Sequence, residues 1–191
     1  MKLSLLSRRQ ALGLLAACAV RPGLATPAGD RSIYALSVPM TDQNGRDFQL
    51  ANARGEPVLV SMFYSSCDAV CPMIFETLKL TLAQLPAALR QRVRVVMVSF
   101  DPVRDTVPVL KQTAQTRQVD DHWTLARPSE ADARKVAALL GVQYRRLASG
   151  EFNHSSNVLL LDAEGQIAWR SNTLGAVDAK LVQSLRKLLA S

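Results

Sequence analysis

The sequence contains few of the side chains that bind transition metals or form cross-links. Its 191 residues include only three cysteines and two histidines. Nearly half of the residues are apolar, so a chain of this length buries a full core without cross-links. Internal repeats and low-complexity tracts are absent, and the length fits one domain of ordinary size.

The sequence also lacks an apolar run long enough to cross a membrane as a helix. The apolar stretch near the N-terminus, residues 11–20, is about half of the roughly 20 residues that a bilayer core requires. A basic head precedes this stretch and small residues follow it, with cleavage expected after Ala25. Residues 1–25 are therefore predicted to be an export signal, and residues 26–191 to be the mature domain.

Two patterns inside the signal indicate different export routes. Residues 7–12, Ser-Arg-Arg-Gln-Ala-Leu, resemble a twin-arginine signal. Residues 15–18, Leu-Ala-Ala-Cys, resemble a bacterial lipobox, in which Cys18 becomes the lipidated first residue and anchors the protein to a membrane. Alternatively, Cys18 is a small apolar residue of a discarded signal. Both alternatives predict the bacterial periplasm or the outer face of the cytoplasmic membrane.

The charge balance gives little support to a nucleic-acid partner. The formal net charge of +7 falls to +3 when residues 1–25 are removed, with 19 basic and 16 acidic residues remaining. These basic residues are scattered, and their densest run, residues 90–94, is typical of a solvated helix end. No nucleic-acid partner is predicted.

Two cysteines lie where a predicted strand gives way to a predicted helix. The apolar run 57–63 reads as a buried strand, and residues 72–82 show helical spacing, with Pro72 suited to a first helical turn. Cys67 and Cys71, four residues apart, lie on one face of such a turn and are able to form a disulfide or hold one ion. A helix N-terminus also favours the thiolate. A structural disulfide is the alternative, although so short a loop contributes only about 2 kcal/mol.

The remaining pattern predicts an α/β fold. Asn44-Gly45 indicates a hairpin turn in the segment that enters the domain, and Pro86 marks a helix end. Further strands and helices alternate, which predicts a layered structure with a parallel sheet centre and an antiparallel edge. Strands are expected at 93–100, 123–125, 142–147, 158–162 and 166–170, and helices at about 105–118, 129–140 and 178–190. Ligands of such sheets bind beyond the carboxyl ends of the strands, where Cys67 and Asp101 both fall.

Neither histidine is informative by itself. His154 lies in a predicted polar loop, residues 152–157, just before a strand, and a lone histidine in such a loop is usually not a ligand. His122, beside Trp123, is predicted to be a strand-end side chain.

Three ordered motifs resemble the SCO/SenC family. They are Tyr-Ser-Ser-Cys-Asp-Ala-Val-Cys-Pro at 64–72, Ser-Phe-Asp-Pro-Val-Arg-Asp-Thr at 99–106, and His-Ser at 154–155 followed by a strand that ends in Asp-Ala-Glu-Gly at 162–165. The resemblance covers about residues 32–190. It implies a thioredoxin-like fold, a central mixed sheet flanked by helices, here with an N-terminal hairpin extension.

The resemblance also implies a function. Proteins of this family are exported or membrane-tethered copper proteins that assist assembly of the copper site of cytochrome c oxidase. By resemblance, Cys67, Cys71 and His154 are the copper ligands and Asp101 is a neighbouring carboxylate. One departure is Asp68, where the family commonly has proline; a carboxylate there is expected to raise the pKa of Cys67 unless a cation offsets it.

The donor chemistry agrees with that implication. Two thiolates select Cu(I), and imidazole suits copper in either oxidation state. Structural zinc requires a fourth protein ligand, for which Asp101 or His122 would be guesses. Asp101 is expected either to orient His154 from outside the ligand set or to cap a helix or turn. Met73 is expected to pack in the core rather than to bind metal.

These observations lead to one expected function and three alternatives. The expected function is a copper chaperone that binds Cu(I) or Cu(II) and delivers it to the copper-bearing subunit of cytochrome c oxidase or to another chaperone, by ligand exchange at an exposed site. Oxidation of the two thiols would abolish binding. An enzyme that reduces the cysteines of the oxidase copper site is the main alternative. A thiol peroxidase is disfavoured because Tyr64 occupies the position of its usual threonine, and a binding module without thiol chemistry stays open.

Overall fold

The computed structural model describes residues 32–190. The predicted export signal, including Cys18, lies outside this part of the chain. Between residues 32 and 190, no helix is both long and apolar enough to span a bilayer.

The described chain alternates strands and helices as the sequence predicts. The α-helices are α1 (Val70–Ala83), α2 (Ala87–Arg90), α3 (Val107–Thr116), α4 (Glu130–Leu140) and α5 (Ala179–Leu189). The strands are β1 (Met40–Asp42), β2 (Asp47–Phe48), β3 (Val58–Phe63), β4 (Arg94–Ser99), β5 (Trp123–Pro128), β6 (Tyr144–Arg146), β7 (Phe152–His154), β8 (Val158–Leu161) and β9 (Ile167–Ser171). Short 3-10 helices span Ile33–Ala35 and Leu50–Ala53.

Seven strands form one mixed sheet in the order β2-β1-β5-β4-β3-β8-β9. Strands β3, β4 and β5 are parallel, whereas β8 pairs antiparallel with β3 and β9 with β8. All six residues of β3 are buried, as expected for a central strand covered on both faces. The predicted mixed sheet with a parallel centre and an antiparallel edge is confirmed.

The hairpin near the start of the domain extends this sheet. Gly45 has a φ of +77°, which glycine adopts without steric cost, and it closes the turn between β1 and β2. Strand β1 then pairs antiparallel with β5, so the hairpin adds two strands to that edge of the sheet. The predicted N-terminal hairpin extension is confirmed.

The helix that follows β3 begins earlier than its apolar spacing indicates. Its first residue is Val70 rather than Pro72, so Cys71 belongs to the first turn. It ends at Ala83, just before Pro86, as predicted. Helix α1 packs against α5, while α3 and α4 both pack against β5. These helices supply the flanking layers of the sheet.

Strands β6 and β7 form a separate two-stranded sheet, which together with its connecting turn, residues 147–151, is called the ribbon below. The strand predicted over 142–147 is present but shorter than expected. Only Tyr144–Arg146 are extended, and they pair antiparallel with Phe152–His154. The second strand lies in the segment predicted to be a polar loop.

The first described residues dock on the turn between β8 and β9. The Ser32 hydroxyl donates to the Glu164 carbonyl, and the Ile33 N–H donates to the Gly165 carbonyl at 2.8 Å. Because Val58 at the start of β3 pairs with Leu161, this turn lies beyond the start of β3. The chain therefore enters the fold at the end of the sheet opposite to Cys67.

Candidate metal centre

The corner between β3 and α1 places both cysteines beneath the surface. The Cys67 N–H donates to the Tyr64 carbonyl at 3.3 Å, which closes a tight turn after β3. One helical turn further, the Cys71 N–H donates to the Cys67 Sγ at 3.4 Å. Both side chains are free thiols, with exposed fractions of 4 % and 2 %. The prediction that ligand exchange takes place at an exposed site was therefore wrong for the two sulfurs, which are buried.

The two thiols differ in their electrostatic environment. Burial opposes ionisation of Cys67, but the N–H groups of Cys71, Ala69 and Val70 point to its sulfur and lower the pKa of this thiol overall. Burial raises the pKa of the Cys71 thiol far above its ordinary value, and the neighbouring Cys67 raises it further. Only Cys67 has the thiolate character that was expected of both.

Asp68 does not have the effect on its neighbour that the sequence indicated. A carboxylate in that position was expected to raise the pKa of Cys67, yet the pKa is lowered. The Asp68 side chain is exposed to solvent, which screens its charge. The helix start, rather than this carboxylate, dominates the environment of the sulfur.

His154 reaches the thiols from the end of strand β7. It pairs with Tyr144 across the ribbon, so the prediction of a polar loop at this position was wrong. Its Nδ1 lies 3.1 Å from the Ser155 carbonyl oxygen. A carbonyl only accepts hydrogen bonds, so this contact requires the proton on Nδ1 and leaves the lone pair of Nε2 free to bind an ion.

Aromatic rings fix the orientation of the imidazole. The Phe100 and His154 ring centroids are 5.0 Å apart, and the Tyr64 ring lies edge-on to the imidazole at 5.9 Å. Phe100 also stacks on Tyr144 at 4.9 Å, so the ring of His154 and its cross-strand partner share one aromatic neighbour.

Cys67, Cys71 and His154 converge in space. One ligand atom from each residue lies within 4.8 Å of the other two, and among residues 32–190 they form the single such group of three or more histidine, cysteine and acidic side chains. His122 lies outside this group; it immediately precedes β5, and its carbonyl accepts from the Val95 N–H, as expected for a strand-end residue. The thiols and the distant imidazole thus form one candidate binding site.

Two carboxylates follow β4, and they have different partners. The Asp101 side chain forms a salt bridge with Arg104, and within the described residues no hydrogen bond joins it to His154. Asp105 is 1 % exposed and accepts hydrogen bonds from the Ser65 N–H and hydroxyl and from the Ser99 hydroxyl. Asp105 therefore ties the cysteine loop to the end of β4. Sequence reasoning assigned it only to the start of a helix.

Met73 faces solvent rather than the core. Its exposed fraction is 41 %, so the prediction of core packing was wrong. Its carbonyl accepts from the Gly175 N–H at 3.3 Å, which places it where the loop after β9 meets α1. It is not a member of the candidate ligand group.

Comparisons with known proteins concern the family to which this chain is similar. The SCO1/SenC family profile matches residues 32–190. A protein of Stutzerimonas stutzeri that is described as copper-binding is 29% identical over 72 residues, which is 38% of this chain and 35% of that protein. The chain thus matches about a third of the length of this curated relative.

Two solved structures show the same fold. A SCO1/SenC family lipoprotein from Bacillus anthracis superimposes with a TM-score of 0.72 at 20% identity, over 80% of this chain and 94% of that chain. Arabidopsis thaliana ScoI with copper bound gives a TM-score of 0.68 at 18% identity, over 78% of this chain and 96% of that chain. These likenesses confirm the thioredoxin-like fold class. Since the family profile extends over the whole described chain, this protein belongs to the SCO1/SenC family.

Proposed function

We propose that this protein is a copper chaperone that binds copper through Cys67, Cys71 and His154 and delivers it to the copper site of cytochrome c oxidase. The observation that carries this proposal is the convergence of the three ligand atoms within 4.8 Å. Membership of the SCO1/SenC family supports it, as does the copper-binding description of the Stutzerimonas stutzeri relative.

The donor set favours copper over zinc. Two thiolates and one imidazole suit three-coordinate Cu(I), and the imidazole also serves Cu(II). A structural zinc site would need a fourth protein ligand. The guesses for that ligand, Asp101 and His122, are not in the group, and the Asp101 carboxylate is engaged by Arg104. Copper is accordingly cargo that the protein binds and releases.

Burial determines the order of ligand exchange. The two sulfurs are almost inaccessible, whereas His154 is half-buried at the surface of the site. Incoming ligands of an acceptor protein therefore reach the metal first where His154 binds it. Release begins with the imidazole and ends with the thiolates, and the copper-bearing oxidase subunit or another copper chaperone is the acceptor.

Redox state controls loading. In the disulfide form, each sulfur has lost one electron to an external oxidant, the two thiol protons are released, and neither sulfur is a thiolate ligand. An external dithiol restores the site by supplying two electrons and two protons and forming its own disulfide. During oxidation the Cys67 thiolate is the attacking group, because its pKa is the lower of the two; during reduction the external thiolate attacks the Cys71 sulfur and Cys67 leaves as the thiolate, for the same reason.

A Cu(I) titration of the reduced protein against a competing chelator tests the proposal. We expect one Cu(I) per chain and, for His154→Ala, an affinity at least about tenfold lower, since loss of even a supporting group near a metal commonly has that effect. His122→Ala is the matched control and is expected to keep the wild-type affinity. Unchanged affinity in a folded His154→Ala variant would contradict the assignment. Transfer to the metal-free soluble domain of the oxidase subunit then tests delivery.

The unequal thiols favour a second candidate function, a thiol-disulfide oxidoreductase that reduces the cysteines of the oxidase copper site. A low-pKa attacking thiol followed by a buried high-pKa thiol is the arrangement that such enzymes use. This role gives His154 no required task. Reduction potential and turnover of a disulfide substrate, measured beside copper stoichiometry, distinguish the two functions: turnover without copper binding identifies the enzyme.

The proposed location is outside the bacterial cytoplasmic membrane, in the periplasm or on its outer face. It depends on the predicted signal over residues 1–25 and is supported by the likeness to the Bacillus anthracis protein, which is described as a lipoprotein. Mass spectrometry of the mature N-terminus tests it. Cleavage after Ala25 gives a free chain, whereas a lipidated Cys18 gives a membrane-anchored one.

A further inference from the structure

The ribbon that carries His154 is attached to the body of the domain by few polar contacts. Its two strands pair with each other and with no strand of the main sheet. Among residues 32–190, the hydrogen bonds from the body to its connecting turn come from Arg104 and Tyr64. The Tyr64 hydroxyl donates to Glu151 at 2.6 Å, and the Arg104 Nη2 donates to the Gly150 carbonyl at 2.8 Å.

Arg104 connects this turn to a rigid part of the fold. Its Nε donates to the Asp101 carboxylate, whose side chain is only 6% exposed. The Asp101 N–H in turn donates to the Ser99 hydroxyl at 3.0 Å, at the end of central strand β4. The salt bridge is thus fixed to the sheet on one side, and the guanidinium extends from it to the tip of the ribbon on the other.

The same guanidinium also covers the aromatic cluster next to the metal ligands. Its central carbon lies 5.7 Å from the Phe152 ring centroid and 6.0 Å from the Tyr64 ring centroid. Phe152 is two residues before His154 on strand β7, and Tyr64 contacts the imidazole edge-on. Arg104 therefore contacts the tip of the ribbon, the Phe152 ring on β7 and the Tyr64 ring that helps to orient the imidazole.

We propose that Arg104 is a positioning residue: it holds the ribbon against the domain so that His154 stays over the two thiols, and Asp101 orients Arg104 for this task. This inference rests on the proposed copper-binding function. It assigns Asp101 an indirect role, in which the carboxylate acts on His154 through Arg104 and the ribbon. Release of copper then requires the Arg104 contact with Gly150 to open, since the imidazole leaves the site with the ribbon.

A planar guanidinium is needed for this role. Its separate N–H groups point in fixed directions, so one side chain donates to Asp101 and to the Gly150 carbonyl at the same time. A lysine ammonium is a single point donor and does not span the two acceptors. Arg104→Lys is therefore expected to behave like Arg104→Ala, although it keeps the positive charge.

Hydrogen exchange of the reduced, metal-free protein tests the position of the ribbon without copper. In Arg104→Ala, the amides of residues 144–154 should exchange about tenfold faster, as expected for the loss of one charge-assisted hydrogen bond. The amides of β3 should keep their wild-type rates. Arg127→Ala is the matched control. Arg127 donates to the Pro102 carbonyl, so it anchors the segment between Asp101 and Arg104 and forms no hydrogen bond with the ribbon.

Copper dissociation tests the consequence for the ligand. Transfer of Cu(I) from Arg104→Ala to a chromogenic chelator should be about tenfold faster than from the wild type and from Arg127→Ala. In a His154→Ala background, Arg104→Ala should cause no further change, because the residue acts through the imidazole. A merely structural role would accelerate dissociation equally in both backgrounds.

Three results would overturn the inference: wild-type exchange rates in Arg104→Ala, faster exchange with unchanged copper dissociation, or full rescue by Arg104→Lys. If the wild type fails to bind Cu(I), the proposed function falls. The exchange measurements still decide whether Arg104 holds the ribbon, so the two failures are distinguishable.

Discussion

At the scale of single residues, the helix start separates two chemically identical thiols. Cys67 lies just ahead of α1, where several main-chain N–H groups are without helical acceptors and point to its sulfur. Cys71 lies inside the first turn, and burial dominates its environment. In a metal-binding or redox reaction at this corner, Cys67 therefore loses its proton at a lower pH than Cys71.

This difference predicts unequal alkylation of the reduced, metal-free protein. Iodoacetamide should modify the Cys71→Ser variant through Cys67 at a lower pH than an ordinary thiol requires, because the pKa of Cys67 is lowered. The Cys67→Ser variant should react through Cys71 only in strongly alkaline solution, since burial raises the pKa of that thiol. The rate of each variant, followed by mass spectrometry against pH, checks the order. Equal rates at neutral pH would contradict it.

Three other residues have contacts or exposure that the sequence alone does not reveal. Asp101 and Asp105 both follow β4, and their order along the chain does not indicate which one binds the cysteine loop. The choice depends on Ser65 and Ser99, which are brought to Asp105 by tertiary folding. Met73 likewise fits the apolar spacing of α1, yet the spacing does not reveal that its side chain faces solvent.

At the scale of elements, long periodic segments were predictable, whereas β7 and the separate pairing of the ribbon were not. The six-residue strands β3 and β4 follow from apolar runs, and α4, which Gly141 ends in the left-handed conformation, stops where the helix predicted over 129–140 stops. The ribbon strands have three residues each and mixed polarity, so no periodicity marks them. Their pairing depends on the aromatic contacts of Phe100 with Tyr144 and Phe152, which join distant parts of the chain.

The N-terminus of α5 gives a prediction about pH. Burial opposes ionisation of Asp178, but the Ser171 hydroxyl and the N–H groups of Leu181 and Lys180 donate to its carboxylate and together lower its pKa overall. A lowered pKa in the folded state stabilises the fold above the unfolded-state value of about 3.9, and this stabilisation is lost as the pH falls through the folded value. Asp178→Ala should reduce the free energy of unfolding by about 1 kcal/mol at neutral pH.

Urea unfolding between neutral pH and about pH 3 checks this expectation. The difference between wild type and Asp178→Ala should shrink toward the acidic end, because the carboxyl group of the unfolded wild type binds its proton at a higher pH than that of the folded protein. Asp178→Asn is the control, because its amide oxygen caps the helix without titrating. A difference that stays constant over the whole pH range would rule out the carboxylate as its source.

At the scale of the whole molecule, topology explains why a distant histidine meets the thiols. Val60 in β3 pairs with Leu159 in β8, and β8 runs antiparallel, so the chain preceding β8 lies near the end of β3. His154 precedes β8 by four residues and Cys67 follows β3 by the same number. Spacing along the sequence indicated the thiol pair, whereas the imidazole required this pairing and was expected only through the family resemblance.

The docking of the first described residues is held by close packing at one glycine. Gly165 has a φ of +82°, and a Cβ there would lie 2.6 Å from the Tyr34 ring carbon Cγ. Gly165→Ala should lower the free energy of unfolding by about 2 kcal/mol or more, because backbone strain and a ring clash add. Gly55→Ala is the control, since Gly55 also has a positive φ but has no atom within 4 Å of that position. Chemical denaturation of both variants measures the difference, and equal losses would exclude the clash.

The position of that docking point also determines which way the candidate site would face if the chain were anchored. The turn that holds Ser32 and the corner that holds Cys67 lie at opposite ends of β3, a strand of six residues and so about 20 Å long. A lipid or any other tether joined to the chain ahead of Ser32 would attach the domain by the end opposite to Cys67. The proposed copper ligands would then face away from the anchoring surface, toward whatever protein approaches from the open side.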